Sequence, residues 1–150
     1  METLFLSAIT DAELRFGVRA FPTGRRRNQL KEDLEGQVLP MFAGRVLDFE
    51  LAASRAYAEL TEMARSEGRT MPMSAGCIAA TAVAKGKTVA TRDTSPFKAA
   101  GLKIVDPWTS KKRLVYRAAV NCRNIFCDRM ATWIPGATRA TGSMQGFLYR

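Results

Sequence analysis

Residues 74–93 read SAGCIAATAVAKGKTVATRD, and how this stretch divides decides the fold. Its first half is apolar and alanine-rich, with Ile78, Ala82 and Val83 at helical spacing, which predicts a helix running from Met71 to Gly86. Glycine is a natural stop for that helix. Thr88 to Thr91 then read as a short strand, and an acid, Asp93, follows two residues after it ends.

The same alternation of strand and helix extends outward in both directions. Leu4 to Ala8 is a short apolar strand, and Thr10 to about Arg19 a helix with Ala12, Phe16 and the stem of Arg19 facing inward. Phe21-Pro22-Thr23-Gly24 breaks it. A second helix carries RRRNQLKEDLEGQVLPMF, where Leu30, Leu34, Val38 and Leu39 form the inner face. Arg45 to Phe49 is the second strand. The next helix places Ala53, Ala56, Tyr57, Leu60, Met63 and Ala64 on one face, and Gly68 ends it. After Asp93, Ser95-Pro96 opens a short helix and Leu102 to Val105 is the fourth strand. Strands alternating with helices predict an α/β fold, a parallel sheet flanked by helices. In such sheets the site lies at the carboxyl ends of the strands. Glu13 and Asp93 both fall on that edge.

Composition sets the chemistry that is possible. A 150-residue chain with 47% apolar and 25% charged residues has the balance of a soluble globular protein of about one domain. No apolar run reaches membrane-spanning length, and METLFLSAIT has no basic flank before its apolar stretch, so it reads as core strand and not as a leader. The chain has no histidine, which excludes Ser-His-Asp and Cys-His nucleophile systems. Hydrolysis on carboxylates holding a divalent metal stays open, because the metal itself acidifies bound water. Cys77, Cys122 and Cys127 contain no CxxC pair and read as free thiols in a reducing cytoplasm.

The net charge of +9 is uneven: residues 109–150 contain Lys111, Lys112, Arg113, Arg117, Arg123, Arg129, Arg139 and Arg150 against the single acid Asp128. Two units follow, 1–108 as the α/β domain and 109–150 as a basic tail. The tail reads as poorly ordered or of different origin, with Arg113 to Val120 open to strand or helix. A basic tail can also bind nucleic acid. Arg25, Arg26 and Arg27 read as a solvated helix face balanced by Glu32, Asp33 and Glu35. Tyr57 and Phe16 read as core residues.

The blocks SAITDAELRFGV, RVLDFELAASRAYAEL, SAGCIAATAVAKGKTVATRD and FKAAGLKIVDPW, in unbroken order from Thr3 to Trp108, resemble the PIN-domain family, of the VapC or FitB-like toxin type from bacterial toxin–antitoxin modules. The resemblance implies a Mg²⁺-dependent endoribonuclease (Mn²⁺ as a substitute), an RNA substrate, a cognate antitoxin and a homodimer. It also implies an acidic metal site at the sheet edge. Position by position, Glu13 corresponds to the second acid of that site and Asp93 to the fourth, with Arg92 beside it facing RNA. Ala75 stands where the third acid belongs. The first acid lies on a strand reading Leu-Asp-Thr-Asn, and nothing of that kind precedes LFLSAIT.

Two expectations follow. With two of four acids present, activity is weak or absent and metal binding is weak. The sheet also lacks its first strand, which in PIN domains lies in the middle. The resulting slot closes up, or the tail fills it through Leu114 to Val120, or the chain folds poorly. On local spacing alone, Thr10 and Glu13 form a capping box at the start of the first helix.

Overall fold

The computed structural model describes residues 3–91, 94–106 and 147–149. Its elements are β1 (Leu4–Ser7), α1 (Ala8–Arg19), α2 (Arg25–Asp33), β2 (Val46–Leu47), α3 (Leu51–Ser66), α4 (Met73–Ala84), β3 (Thr88–Ala90), α5 (Ser95–Ala99), β4 (Ile104–Val105) and β5 (Phe147–Tyr149). The strands form one sheet in the order β2-β1-β5-β3-β4. β1 pairs in parallel with β2, Leu6 opposite Val46, and β3 in parallel with β4, Val89 opposite Ile104.

β5 lies between the two halves and is antiparallel to both, with Leu148 opposite Phe5 on one side and Val89 on the other. The central slot expected from the sequence therefore exists, and residues 147–149 fill it. Much of the closing stretch was expected to be loosely ordered; residues 147–149 of it form a strand. FLY is a run of strand-forming residues, and it satisfies backbone groups of two strands that would otherwise be buried unpaired. Leu114 to Val120, the expected occupant, lies outside the described residues.

Side chains alternate across the pleat and build a core on each face. On one face Leu4 and Leu6 pack with Leu14 and Val18 of α1 and with Leu30, Leu34, Val38 and Phe42. That last series keeps a four-residue spacing because α2 continues through a π turn (Leu34–Val38) and a 3₁₀ turn (Leu39–Phe42). On the other face Val89 and Leu148 pack with Ala53, Ala56 and Leu60 of α3, with Ala75, Ile78, Ala79, Ala80 and Ala82 of α4, and with Phe97. Small residues let α3 and α4 approach closely. At Gly76 a Cβ would lie 2.7 Å from Cε2 of Tyr57, so only glycine fits without a shift. Gly86 has φ 59°, the left-handed stop expected after α4.

Two sequence expectations about α1 are corrected. The helix begins at Ala8, not Thr10, because the Ser7 hydroxyl accepts the Ile9 amide at 3.2 Å and serves as N-cap. Thr10 is therefore buried inside the first turn, and no Thr10–Glu13 capping box exists. The earlier start also rotates the inner face onto Thr10, Leu14 and Val18. Phe16 is 73% exposed instead of buried, and Ala12 and Arg19 are exposed. Met63 and Val83, expected inside, are exposed as well. Among the described residues no helix is long and apolar enough to cross a membrane.

Candidate active site

β1 and β3 are each antiparallel to β5 and so run the same way, which puts their carboxyl ends on one edge of the sheet. β1 leads without a loop into α1. This carries Glu13 to the second turn of the helix, partly withdrawn from water. β3 leads into Thr91, which is buried and whose amide donates to the Val105 carbonyl at 3.0 Å. Arg92 and Asp93, the next two residues, lie outside the described residues.

The Glu13 carboxyl reaches α4. Burial raises its pKa above the usual glutamate value, and a hydrogen bond with the Ser74 side chain pulls it partly back. Ser74 is the second residue of α4, a helix with no acid in its first turn and no side-chain cap from Pro72. Sequence reasoning missed Ser74. The available signal was a hydroxyl in the first turn of a helix, immediately before the expected third acid. That third position is Ala75, fully buried within the α3–α4 core. The structure therefore joins Glu13 to the start of α4 but supplies a methyl group where the resemblance calls for a carboxylate.

Among the described residues no three His, Cys, Asp or Glu side chains gather as a metal site. Glu13 and Ser74 offer one carboxylate and one hydroxyl. A hard cation such as Mg²⁺ is held through several oxygens, with carboxylates supplying the charge. These two described donors do not by themselves fit a tightly held ion.

Some basic residues of α1 and α2 are engaged, among them Arg26 of the expected solvated face. Arg15 bridges Asp11 and Glu35, and Arg26 lies over the Phe21 ring at 5.7 Å. The Asp33 carboxylate is buried and accepts from Gln29 and Gln37 at 3.1 Å each. A cleft beside these pairs is lined by Arg15, Arg19, Arg27, Lys31 and Glu35 over Val18 and Leu34.

No protein-family model matches the chain. Individual proteins do. Over 108 residues it is 60% identical to the VapC ribonuclease Y4jK of Sinorhizobium fredii, covering 72% of this chain and 77% of the relative. The chain belongs to the VapC/FitB family of PIN-domain toxins. Within that family it is also 52% identical to the plasmid stability protein StbB of Pseudomonas syringae pv. tomato, covering 72% of this chain and 78% of that protein. Identity to the toxin FitB of Neisseria gonorrhoeae is 44% over the same share of each chain. Among solved structures, FitAB bound to an IR36 DNA fragment matches with a TM-score of 0.67 at 42% identity, covering 71% of this chain and 75% of that one. FitAcB from Neisseria gonorrhoeae matches with a TM-score of 0.67 at 44% identity, covering 71% and 76%. The α/β sandwich described above is thus a VapC/FitB-type PIN fold whose central strand is supplied by residues 147–149.

Proposed function

We propose that this toxin-family chain derives from a Mg²⁺-dependent endoribonuclease that cleaves RNA phosphodiesters, and that the reaction is weak or absent in the chain as it stands. One observation carries the reading: Ala75 is a buried methyl group at the first turn of α4, next to the Ser74 that meets Glu13. A metal's charge stabilisation in a transition state is worth several kcal/mol. Loss of a ligating carboxylate removes a sizeable part of that, and each ~1.4 kcal/mol is tenfold in rate. Glu13, Asp93 and Arg92 are the residues this reading assigns to the site, the first two as metal-binding acids and the third toward RNA.

Cleavage of single-stranded RNA in Mg²⁺ or Mn²⁺, by the full chain and by Glu13→Ala, tests this reading. The expected result is slow, metal-dependent cleavage that Glu13→Ala abolishes, or none. Cleavage unaffected by Glu13→Ala would mean that the inherited site is not where the chemistry occurs.

A second reading is favoured by the cleft between α1 and α2, where Arg19, Arg27 and Lys31 stand beside the Arg15–Glu35 pair over Val18 and Leu34. The fold persists although the acid set is incomplete, and such a surface suits a partner with acidic and apolar side chains. In this reading the chain binds its antitoxin in the cytoplasm without cleaving RNA, as a homodimer like other members. Co-purification with a small protein encoded beside its gene, lost when Arg19 and Lys31 are both changed to Glu, would support it. Retention of the partner by that double variant would contradict it.

A further inference from the structure

The middle of the sheet depends on the last residues of the chain. β1 and β3 run in the same direction yet do not pair with each other, because β5 lies between them. The amides of Leu6, Val89 and Thr91 bond outward, to the carbonyls of Arg45, Lys103 and Val105. Backbone groups of successive strand residues point to alternate edges. Phe5, Thr88 and Ala90 therefore present theirs to the slot, opposite Leu148, Tyr149 and Phe147 respectively. The Leu148 side chain is fully buried in the same cluster as Val89, Ile78 and Phe97.

With the slot empty, β2-β1 and β3-β4 are two separate ribbons, too short to stand alone. One ribbon runs into the helix bearing Glu13 and the other into Thr91. The strand that joins them is three residues long and is reached only after residues 106–146. A strand of three residues has few ladder hydrogen bonds with which to hold its place.

We infer that β5 is a separable keystone. The chain's C-terminal strand docks reversibly between β1 and β3 and, while docked, holds the Glu13 half and the Thr91 half of the sheet edge in register. Capture or removal of residues 147–149 takes that edge apart without touching a residue on it. The link to the edge as a site rests on the nuclease-derived reading above. The docking itself does not.

Amide hydrogen exchange on the full chain tests the docking. In Leu148→Asp, the Phe5, Thr88 and Ala90 amides should exchange at least about 100-fold faster than in the unaltered chain, while amides inside α3 and α4 change by less than about threefold. A synthetic peptide of residues 144–150, MQGFLYR, should restore their protection, and the same peptide with Leu148→Asp should not. Unaltered protection in the variant, or no recovery with the peptide, would overturn the inference. If Leu148→Asp unfolds the whole chain, Leu148→Ala decides. Faster exchange confined to those three amides supports a keystone, and uniform loss of protection overturns it. Because the readout is exchange and not cleavage, an inactive chain with reversible β5 docking and an active chain with fixed β5 are told apart.

Discussion

Glu13 holds two properties that pull against each other. Its carboxyl is desolvated enough for the pKa to rise, yet it takes a hydrogen bond from Ser74 that favours the charged form. A raised value means that the folded state holds the proton more tightly than the unfolded chain. The resulting stabilisation is complete below the ordinary glutamate value and is lost as pH rises through the folded one. Glu13→Gln, which fixes the neutral shape, should therefore leave the melting temperature nearly unchanged at about pH 4 and raise it at about pH 7. A lower melting temperature at neutral pH would mean that the ionised carboxylate is the stabilising form. Ala75 gives the complementary experiment. Ala75→Asp puts a carboxylate into a fully buried position, expected to lower stability by about 3 kcal/mol without metal. Mg²⁺ or Mn²⁺ at about 100 times its Kd should return up to ~2.7 kcal/mol of that. Equal melting with and without metal would show that position 75 is not where the third acid belongs. Of these residues, Glu13 was singled out by the family blocks, while its local spacing alone pointed to a helix cap. Ser74 was not, because a hydroxyl near a helix start has many uses.

Elements were legible where a face or a stop was unambiguous. Gly86 and Gly68 end helices as their positions implied, and Leu30, Leu34 and Val38 line the inner face of α2 and the turn that continues it. α1 was misread by two residues. The sequence offers two hydroxyl caps three residues apart, Ser7 and Thr10, and local spacing favoured the one followed by Glu13. The structure uses Ser7, since β1 ends there and the chain enters the helix with no loop. Ser7→Ala should therefore destabilise the chain by about 1 kcal/mol, measured by denaturant unfolding. A loss at Thr10→Val, which keeps the shape and removes the hydroxyl, with none at Ser7→Ala would restore the later start. α4 was misread for a different reason. It is buried nearly all round from Ala75 to Ala82, so a helical period picks out no single inner face, and Val83 was assigned inward although it is exposed.

At the scale of the whole molecule, the α/β class followed from alternation alone, and the family from four blocks in order. The sheet order did not. Nothing local marks Phe147 to Tyr149 as a central strand: the run is three residues long, follows a Gly- and Thr-rich stretch, and pairs with partners more than fifty residues away. Its role comes from the slot between β1 and β3, which the resemblance implied but whose occupant only tertiary pairing reveals. The same long-range logic governs function. The proposed reading separates fold from activity: a PIN fold assembled around β5, with Ala75 where the resemblance places the third acid. The most direct test of that separation is the rate of Mg²⁺-dependent RNA cleavage, measured side by side with the VapC ribonuclease relative. The prediction is a rate at least about 100-fold below the relative's, matching the loss of several kcal/mol of metal stabilisation. A rate equal to the relative's, abolished by Glu13→Ala, would contradict it.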